Sequence, residues 1–130
     1  MEKVAIIGGG VSGLCAALAL QLNGVEVDVY DPSHHSSSEG GFILGGNAIQ
    51  SLSCLGLGSI IEKIGMPFDS CNIYSEQGAL ITKLSDPISK STFLSFHSFD
   101  FQQMLNDALK PGTVHYNKEL TRFSQSENII

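Results

Sequence analysis

The sequence predicts an α/β fold in which a parallel strand-helix-strand unit is followed by an antiparallel insertion and a return to the parallel sheet. Three observations carry this expectation. An apolar run, Val4-Ala5-Ile6-Ile7, enters a glycine-rich turn from Gly8 to Gly13 and then a helical pattern that reaches Asn23. A second strand candidate, Val25 to Asp31, follows at once and ends on an acid. Beyond it, short strand-like runs separated by turn residues replace a simple repetition of the first unit.

Val4 to Ile7 shows no polar alternation, as expected of a strand covered on both faces, so it is placed at the centre of the sheet. Val11, Leu14, Cys15, Leu18 and Leu22 fall on one helical face, and Gly24 supplies the stop. The pattern Gly8-x-Gly10-x-x-Gly13 therefore sits between strand and helix, where each glycine has a mechanical purpose. Gly8 permits the tight turn, Gly10 lets a pyrophosphate approach the backbone, and Gly13 lets helix and strand pack closely. Ala17 extends that small-residue face by a turn. Free amides of the first helical turn, with about half a positive charge from the helix dipole, suit a dinucleotide phosphate.

Asp31 stands 18 residues after Gly13 (31 minus 13), close to the spacing at which an acid accepts hydrogen bonds from adenosine ribose hydroxyls and repels a 2′-phosphate. The unit is thus Rossmann-like. A plainer alternative makes Asp31 an ordinary strand-end acid opening an Asp-Pro turn with Pro32, and the glycine motif alone does not choose FAD over NAD.

Composition narrows the partners. A net charge of −6 with only seven Lys plus Arg argues against nucleic acid or an anionic membrane. Arg122 is the only arginine, so phosphate near Gly10 must rest on backbone amides and the helix dipole. Cys15, Cys54 and Cys71 are widely spaced, without a C-x-x-C pair, and read as reduced, mostly buried thiols. The N-terminal apolar stretch lacks a basic start and an A-x-A site and is broken by glycines, so it reads neither as a signal peptide nor as a membrane span. The expected location is the cytoplasm.

Along the rest of the chain, Pro32 to Glu39 reads as a polar loop whose His34 and His35 lack a third metal ligand; no metal is expected. Four glycines between Gly40 and Gly46 suggest backbone lying against something flat. Asn47 is the expected cap of a helix with the stripe Ala48, Ile49, Leu52 and Leu55, and a shorter helical turn carries Ile60, Ile61 and Ile64. Cys71 to Tyr74 and Ala79 to Thr82 form a hairpin pattern around Ser75-Glu76-Gln77-Gly78. Phe93 to Phe96 reads as a further strand. Ser98 is expected to cap a helix carrying Phe101, Met104, Leu105 and Ala108, closed by Pro111-Gly112 and followed by a third parallel strand, Thr113 to Tyr116. Glu119 to Ile130 looks like the opening of another hairpin.

Taken together these residues resemble the N-terminal part of the FAD-dependent aromatic-ring-hydroxylase class of flavoprotein monooxygenases, which includes para-hydroxybenzoate and salicylate hydroxylases. Gly8 to Leu14 with Ala17 is similar to their first fingerprint, and Val29-Tyr30-Asp31 to their second-strand end, where glutamate is usual. Gly41 to Leu44, followed by Asn47-Ala48, Leu52 and Leu55-Gly56-Leu57, resembles their flavin-side loop and next helix. His97 to Phe101 with Leu105 falls at their His-Arg-x-x-Leu pattern, with Ser98 in place of the arginine that helps hold FAD. Leu120 matches a strand position whose backbone meets the adenine.

The resemblance implies FAD as cofactor, held by Gly8, Gly10, Val11, Ser12, Gly13, Asp31, Gly41, Phe42, Ser98 and Leu120. It also implies an activity in which NAD(P)H supplies electrons and one atom of molecular oxygen goes to a small organic substrate. Family members run longer, with later Gly-Asp and Asp-Gly motifs and a substrate-binding sheet. Residues 1–130 are therefore expected to be one incomplete FAD-binding domain, truncated relative to the full FAD/NAD(P)-binding fold, whose partner is the remainder of the same polypeptide or an oligomer mate. No residue here is marked by the sequence as catalytic. Two alternatives stand beside this reading: a dinucleotide-binding module without turnover, and an NAD-dependent dehydrogenase domain. The absence of a cysteine pair after Asp31 argues against a disulfide reductase.

Overall fold

The computed structural model describes residues 3–33, 40–85 and 93–125. In chain order the elements are β1 (Lys3–Ile7), α1 (Val11–Leu22), β2 (Glu26–Asp31), β3 (Gly41–Leu44), α2 (Gly46–Cys54), α3 (Gly58–Ile64), β4 (Met66–Phe68), β5 (Ser70–Tyr74), β6 (Leu80–Ser85), β7 (Phe93–His97), α4 (Ser98–Ala108) and β8 (Val114–Tyr116). They divide into two compact units, Met1–Ser38 with Phe101–Ile130, and Glu39–Asp100.

The first unit is built on a parallel sheet of order β1-β2-β8. Val27 and Val29 of β2 are buried, and β2 is the middle strand. The expected central position of Val4 to Ile7 is therefore corrected: β1 pairs only with β2 among the described residues, and Ile7 is 52% exposed. An unbroken apolar run records what a strand could bury, whereas its neighbours decide what it does bury.

Helix α1 packs through Leu14, Ala17 and Leu18, each buried, a set that contributes about 1.5–3 kcal/mol per large aliphatic side chain. Leu22, expected on this face, is exposed, because the stripe continues through Gln21 instead. The helix closes where Gly24, at φ +78°, lets its own amide reach the Gln21 carbonyl and the Val25 amide reach that of Leu20. Gln21 Nε2 donates to the buried Thr113 hydroxyl at 2.7 Å, and that hydroxyl donates to the Lys110 carbonyl at 2.7 Å. The end of α1 is thereby stapled to the entry of β8.

Ile6 faces α1, lying 3.4 Å from where a Cβ on Gly13 would stand, so the alternate residues line the other face of the sheet. There Asp28 accepts from Lys3 Nζ at 2.7 Å and from the Tyr30 hydroxyl at 3.3 Å, and lies 3.2 Å from His115 Nε2. The Lys3 hydrogen bond, foremost, holds the Asp28 carboxyl below its ordinary value and in turn raises that of Lys3.

The second unit contains an antiparallel sheet of order β3-β7-β4 and a separate two-stranded sheet, β5-β6. The hairpin expected from Cys71 to Thr82 is present, with Gly78 at φ +82° in its turn. Gly41 to Leu44 is a strand rather than the flavin-side loop that the resemblance implies, because it pairs along its whole length with Leu94 to His97. A Cβ on Gly41 would stand 2.6 Å from the Phe96 carbonyl oxygen, so glycine here serves close strand pairing. Asn47 does not cap α2; Gly45 does, without a side-chain hydrogen bond, and Asn47 lies inside the helix. Strand β4, missed from sequence, is a three-residue edge strand containing Pro67.

Helix α4 starts at Ser98 itself, directly after β7, and Ser98 donates its amide to the Gly40 carbonyl at 2.9 Å instead of standing before the helix as a cap. Phe101, Met104 and Leu105 are buried as expected; Leu109 completes the stripe and Ala108 is exposed. The cysteines depart from expectation too: Cys54 is exposed, and Cys15 and Cys71 are half-buried, with burial pushing the Cys15 thiol up. All three thiols are free. His34, His35 and residues 126–130 lie outside the described residues.

Candidate dinucleotide site

Strand β1 ends at Ile7, and its hydrogen-bonding ladder is extended one residue by the Gly8 amide, which donates to the Tyr30 carbonyl at 2.8 Å. Gly8 has φ +106°, a conformation that favours glycine, and this reverses the chain into α1. Gly13 is required by space: a Cβ there would stand 2.0 Å from the Gly8 carbonyl oxygen. Gly10 is different. It is exposed with extended backbone, and a Cβ on it would meet no protein atom within 4 Å, so the room above the turn is open.

Gly10 is also the residue preceding α1, with no side-chain hydrogen bond capping the helix and no acid in its first turn. The amides of this turn include those of Val11, Ser12 and Gly13, while the Leu14 amide is bonded to the Gly10 carbonyl at 3.0 Å. An uncapped helix start without acidic compensation suits an anion.

Asp31 ends β2 beside this turn. Its Oδ2 accepts the Gly9 amide at 2.5 Å, and its Oδ1 accepts both the amide of Ser33, at 2.8 Å, and the Ser33 hydroxyl. Burial pushes the Asp31 carboxyl up, but the Ser33 and Gly9 hydrogen bonds outweigh it and the net shift is downward. The Lys118 amide donates to the Asp31 carbonyl at 3.0 Å, tying the segment after β8 to the same strand end.

A cleft beside the turn is lined by Gly9, Ser33, Gln102, Asn106 and Tyr116. Tyr116 ends β8, and its hydroxyl reaches Asn106 Oδ1 at 3.4 Å; burial, and next the Asp31 charge, raise its phenol. Glycine turn, Asp31 and Tyr116 thus all lie at the carboxyl edge of the parallel strands, where ligands bind in open α/β sheets. Among the described residues no cluster of histidine, cysteine and acidic side chains could hold a metal.

Of the residues named from sequence, Gly8, Gly10, Val11, Ser12, Gly13 and Asp31 come together in the first unit. Leu120 belongs to the same unit but lies beyond β8, outside any strand and 48% exposed, which corrects its expected strand position. Gly41, Phe42 and Ser98 belong to the second unit, where the Phe42 ring stacks on Phe96 with centroids 5.8 Å apart. Sequence reasoning missed Ser33 and Gln102. Ser33 two residues after an aspartate was a visible Asx-turn signal; Gln102 carried none.

Comparison with known proteins agrees with this geometry. The family described as FAD dependent oxidoreductase matches residues 3–80, and the chain belongs to that family. It is 26% identical to 6-hydroxynicotinate 3-monooxygenase of Bordetella bronchiseptica, over 98% of this chain and 35% of that protein. To salicylate hydroxylase of Pseudomonas putida it is 28% identical, over 95% of this chain and 30% of the relative. Among solved structures, R204Q HpxO of Klebsiella pneumoniae complexed with FAD superposes with a TM-score of 0.78 at 25% identity, covering 98% of this chain and 34% of that one. The chain therefore spans about a third of the length of the relatives it matches. These relatives are FAD-dependent monooxygenases of the aromatic-hydroxylase class, as the sequence resemblance implies.

The residues present fit FAD: the glycine turn leaves open room at Gly10, the start of α1 is uncapped, and Asp31 stands at the adjoining strand end. No helix among the described residues is long and apolar enough to cross a membrane.

Proposed function

We propose that this chain is the FAD-binding portion of a flavin-dependent monooxygenase that uses NAD(P)H and oxygen to hydroxylate a small aromatic or heterocyclic substrate. The observation that carries the reading is the open, uncapped glycine turn at the carboxyl edge of the sheet, with Asp31 beside it. Amides of Gly10, Val11, Ser12 and Gly13 would take the diphosphate, and Gly8 shapes the turn that presents them. The Asp31 carboxylate, oriented by Ser33 and Gly9 and held ionised, would accept from ribose hydroxyls with its remaining lone pairs. Gly41, Phe42, Ser98 and Leu120 are assigned to the cofactor by family resemblance.

When bound, FAD supplies the redox chemistry. Residues 1–130 act on this reading as one FAD-binding domain, completed by further polypeptide or by an oligomer partner. The three free thiols favour a reducing compartment, the cytoplasm.

Equilibrium titration of the purified chain with FAD, followed by flavin fluorescence and competed with NADH, tests the assignment. Saturable FAD binding that ADP displaces and NADH displaces less well is expected. Tighter binding of NADH would turn the reading towards a dehydrogenase, and failure to bind either would remove it.

A further inference from the structure

We infer that Gln102, on α4, is a positioning residue for the glycine turn: it fixes the peptide plane that aims the Gly10 amide at the diphosphate. The inference rests on the FAD reading above and adds a residue that belongs to neither the glycine motif nor the second strand.

Gln102 Nε2 donates to the Gly9 carbonyl at 3.2 Å, a contact spanning 93 residues of sequence. The Gly9 carbonyl and the Gly10 amide belong to one planar trans peptide, so they point in opposite directions. Anchoring the carbonyl on Gln102 therefore directs the Gly10 N–H away from α4. A neighbouring plane is held in the same manner, because the Gly9 amide donates to Asp31 Oδ2 and its partner, the Gly8 carbonyl, crowds against Gly13. Two successive peptide planes are thus fastened from outside the turn, one by β2 and one by α4.

The Gly8 amide is bonded to the Tyr30 carbonyl and the Gly10 carbonyl to the Leu14 amide, so the Gly9–Gly10 peptide between them is the plane that Gln102 fixes. Gly9 and Gly10 lack side chains, and Gly10 is exposed with no protein atom in the space a Cβ would take. Glycine loses more backbone freedom on ordering than any other residue. An unfastened Gly9–Gly10 peptide would have to be ordered by the ligand, and affinity would fall by that cost. Glutamine suits the task, since its amide donates without placing a charge beside the Asp31 carboxylate or the expected anion.

The test uses the whole chain and its Gln102→Leu and Gln102→Glu variants, titrated with FAD and with ADP, alongside thermal unfolding without ligand. In Gln102→Leu, FAD and ADP affinities are expected to fall together by about threefold to tenfold, the range for one lost hydrogen bond, with the melting temperature lowered by no more than a few degrees and the chain still folded. Gln102→Glu separates positioning from simple packing. Its carboxylate repels the Gly9 carbonyl at neutral pH, whereas a protonated carboxyl donates to it, so affinity is expected to recover as pH falls from about 8 towards the carboxyl range near 4.3. Wild-type affinity in Gln102→Leu, or a Gln102→Glu affinity that follows the wild-type pH dependence, would overturn the inference while leaving the FAD reading intact. A wild-type chain that bound neither FAD nor ADP would instead overturn that reading.

Discussion

The Gly9 amide and the Asp31 carboxylate are joined at 2.5 Å, so the acid that ends β2 is part of the glycine turn itself. On the proposed reading, this acid shapes the anion site and would border the ribose of the cofactor.

Substitutions at the motif glycines are expected to separate folding from binding. Gly10→Val meets open space and extended backbone, so its melting temperature should stay within a few degrees of wild type while FAD affinity falls by an order of magnitude or more. Gly13→Ala meets the Gly8 carbonyl and should destabilise the fold by about 1–3 kcal/mol or more. Thermal unfolding and FAD titration of both variants check the contrast; unchanged FAD affinity in Gly10→Val would contradict the motif assignment.

Asp31→Asn carries a pH signature. The folded-state carboxyl lies below its unfolded value of about 3.9, because hydrogen bonds from Ser33 and Gly9 outweigh burial. Its contribution to stability is therefore full above that value and is lost as pH falls through the lower, folded-state one. The stability gap between wild type and Asp31→Asn is expected at neutral pH and should close below about pH 4, as read by urea unfolding at several pH values. A gap that widened in acid would reverse the assigned shift.

Thr113→Val tests the staple between α1 and β8. It removes the hydroxyl that accepts from Gln21 and donates to Lys110, at nearly constant volume. A loss of about 0.5–1.5 kcal/mol is expected, the net worth of a hydrogen bond whose partners, half-buried Gln21 and exposed Lys110, can turn to water. In a double-mutant cycle with Gln21→Leu the two losses should be markedly less than additive, since both remove the same hydrogen bond. Full additivity would show that the contact is not coupled.

Ser98→Arg restores the residue usual in the resembling family at the start of α4. If the cofactor's diphosphate lies within reach, one charge-assisted contact should tighten FAD several-fold, with the gain shrinking at high salt. Equal affinities for FAD across a salt series would mean that this helix start serves only the structure, as the Ser98 amide does through the Gly40 carbonyl.

Local pattern made the first unit legible. A glycine with positive φ, a helix period, a helix stop and a strand-end acid are all short-range features, and β1, α1, β2, β5 and β8 follow the expected bounds within a residue or two, while β6 runs three residues past the expected Thr82. Legibility failed where a residue's role depends on a partner far along the chain. Gly41 matched a loop position of the resembling family but pairs with β7, and the run Val4 to Ile7 looked central but pairs with β2 alone among the described residues.

The sequence by itself determined a strand, glycine turn, helix and strand-end acid of the dinucleotide-binding kind, because steric permission at Gly8, Gly10 and Gly13 and the spacing to Asp31 are written in one short stretch. Only the tertiary structure decided that Gln102 reaches the Gly9 carbonyl and that Gln21 locks onto Thr113. Those contacts join residues more than eighty apart in the chain, and hydrogen bonds of a few ångströms have no local signature until the fold brings their partners together.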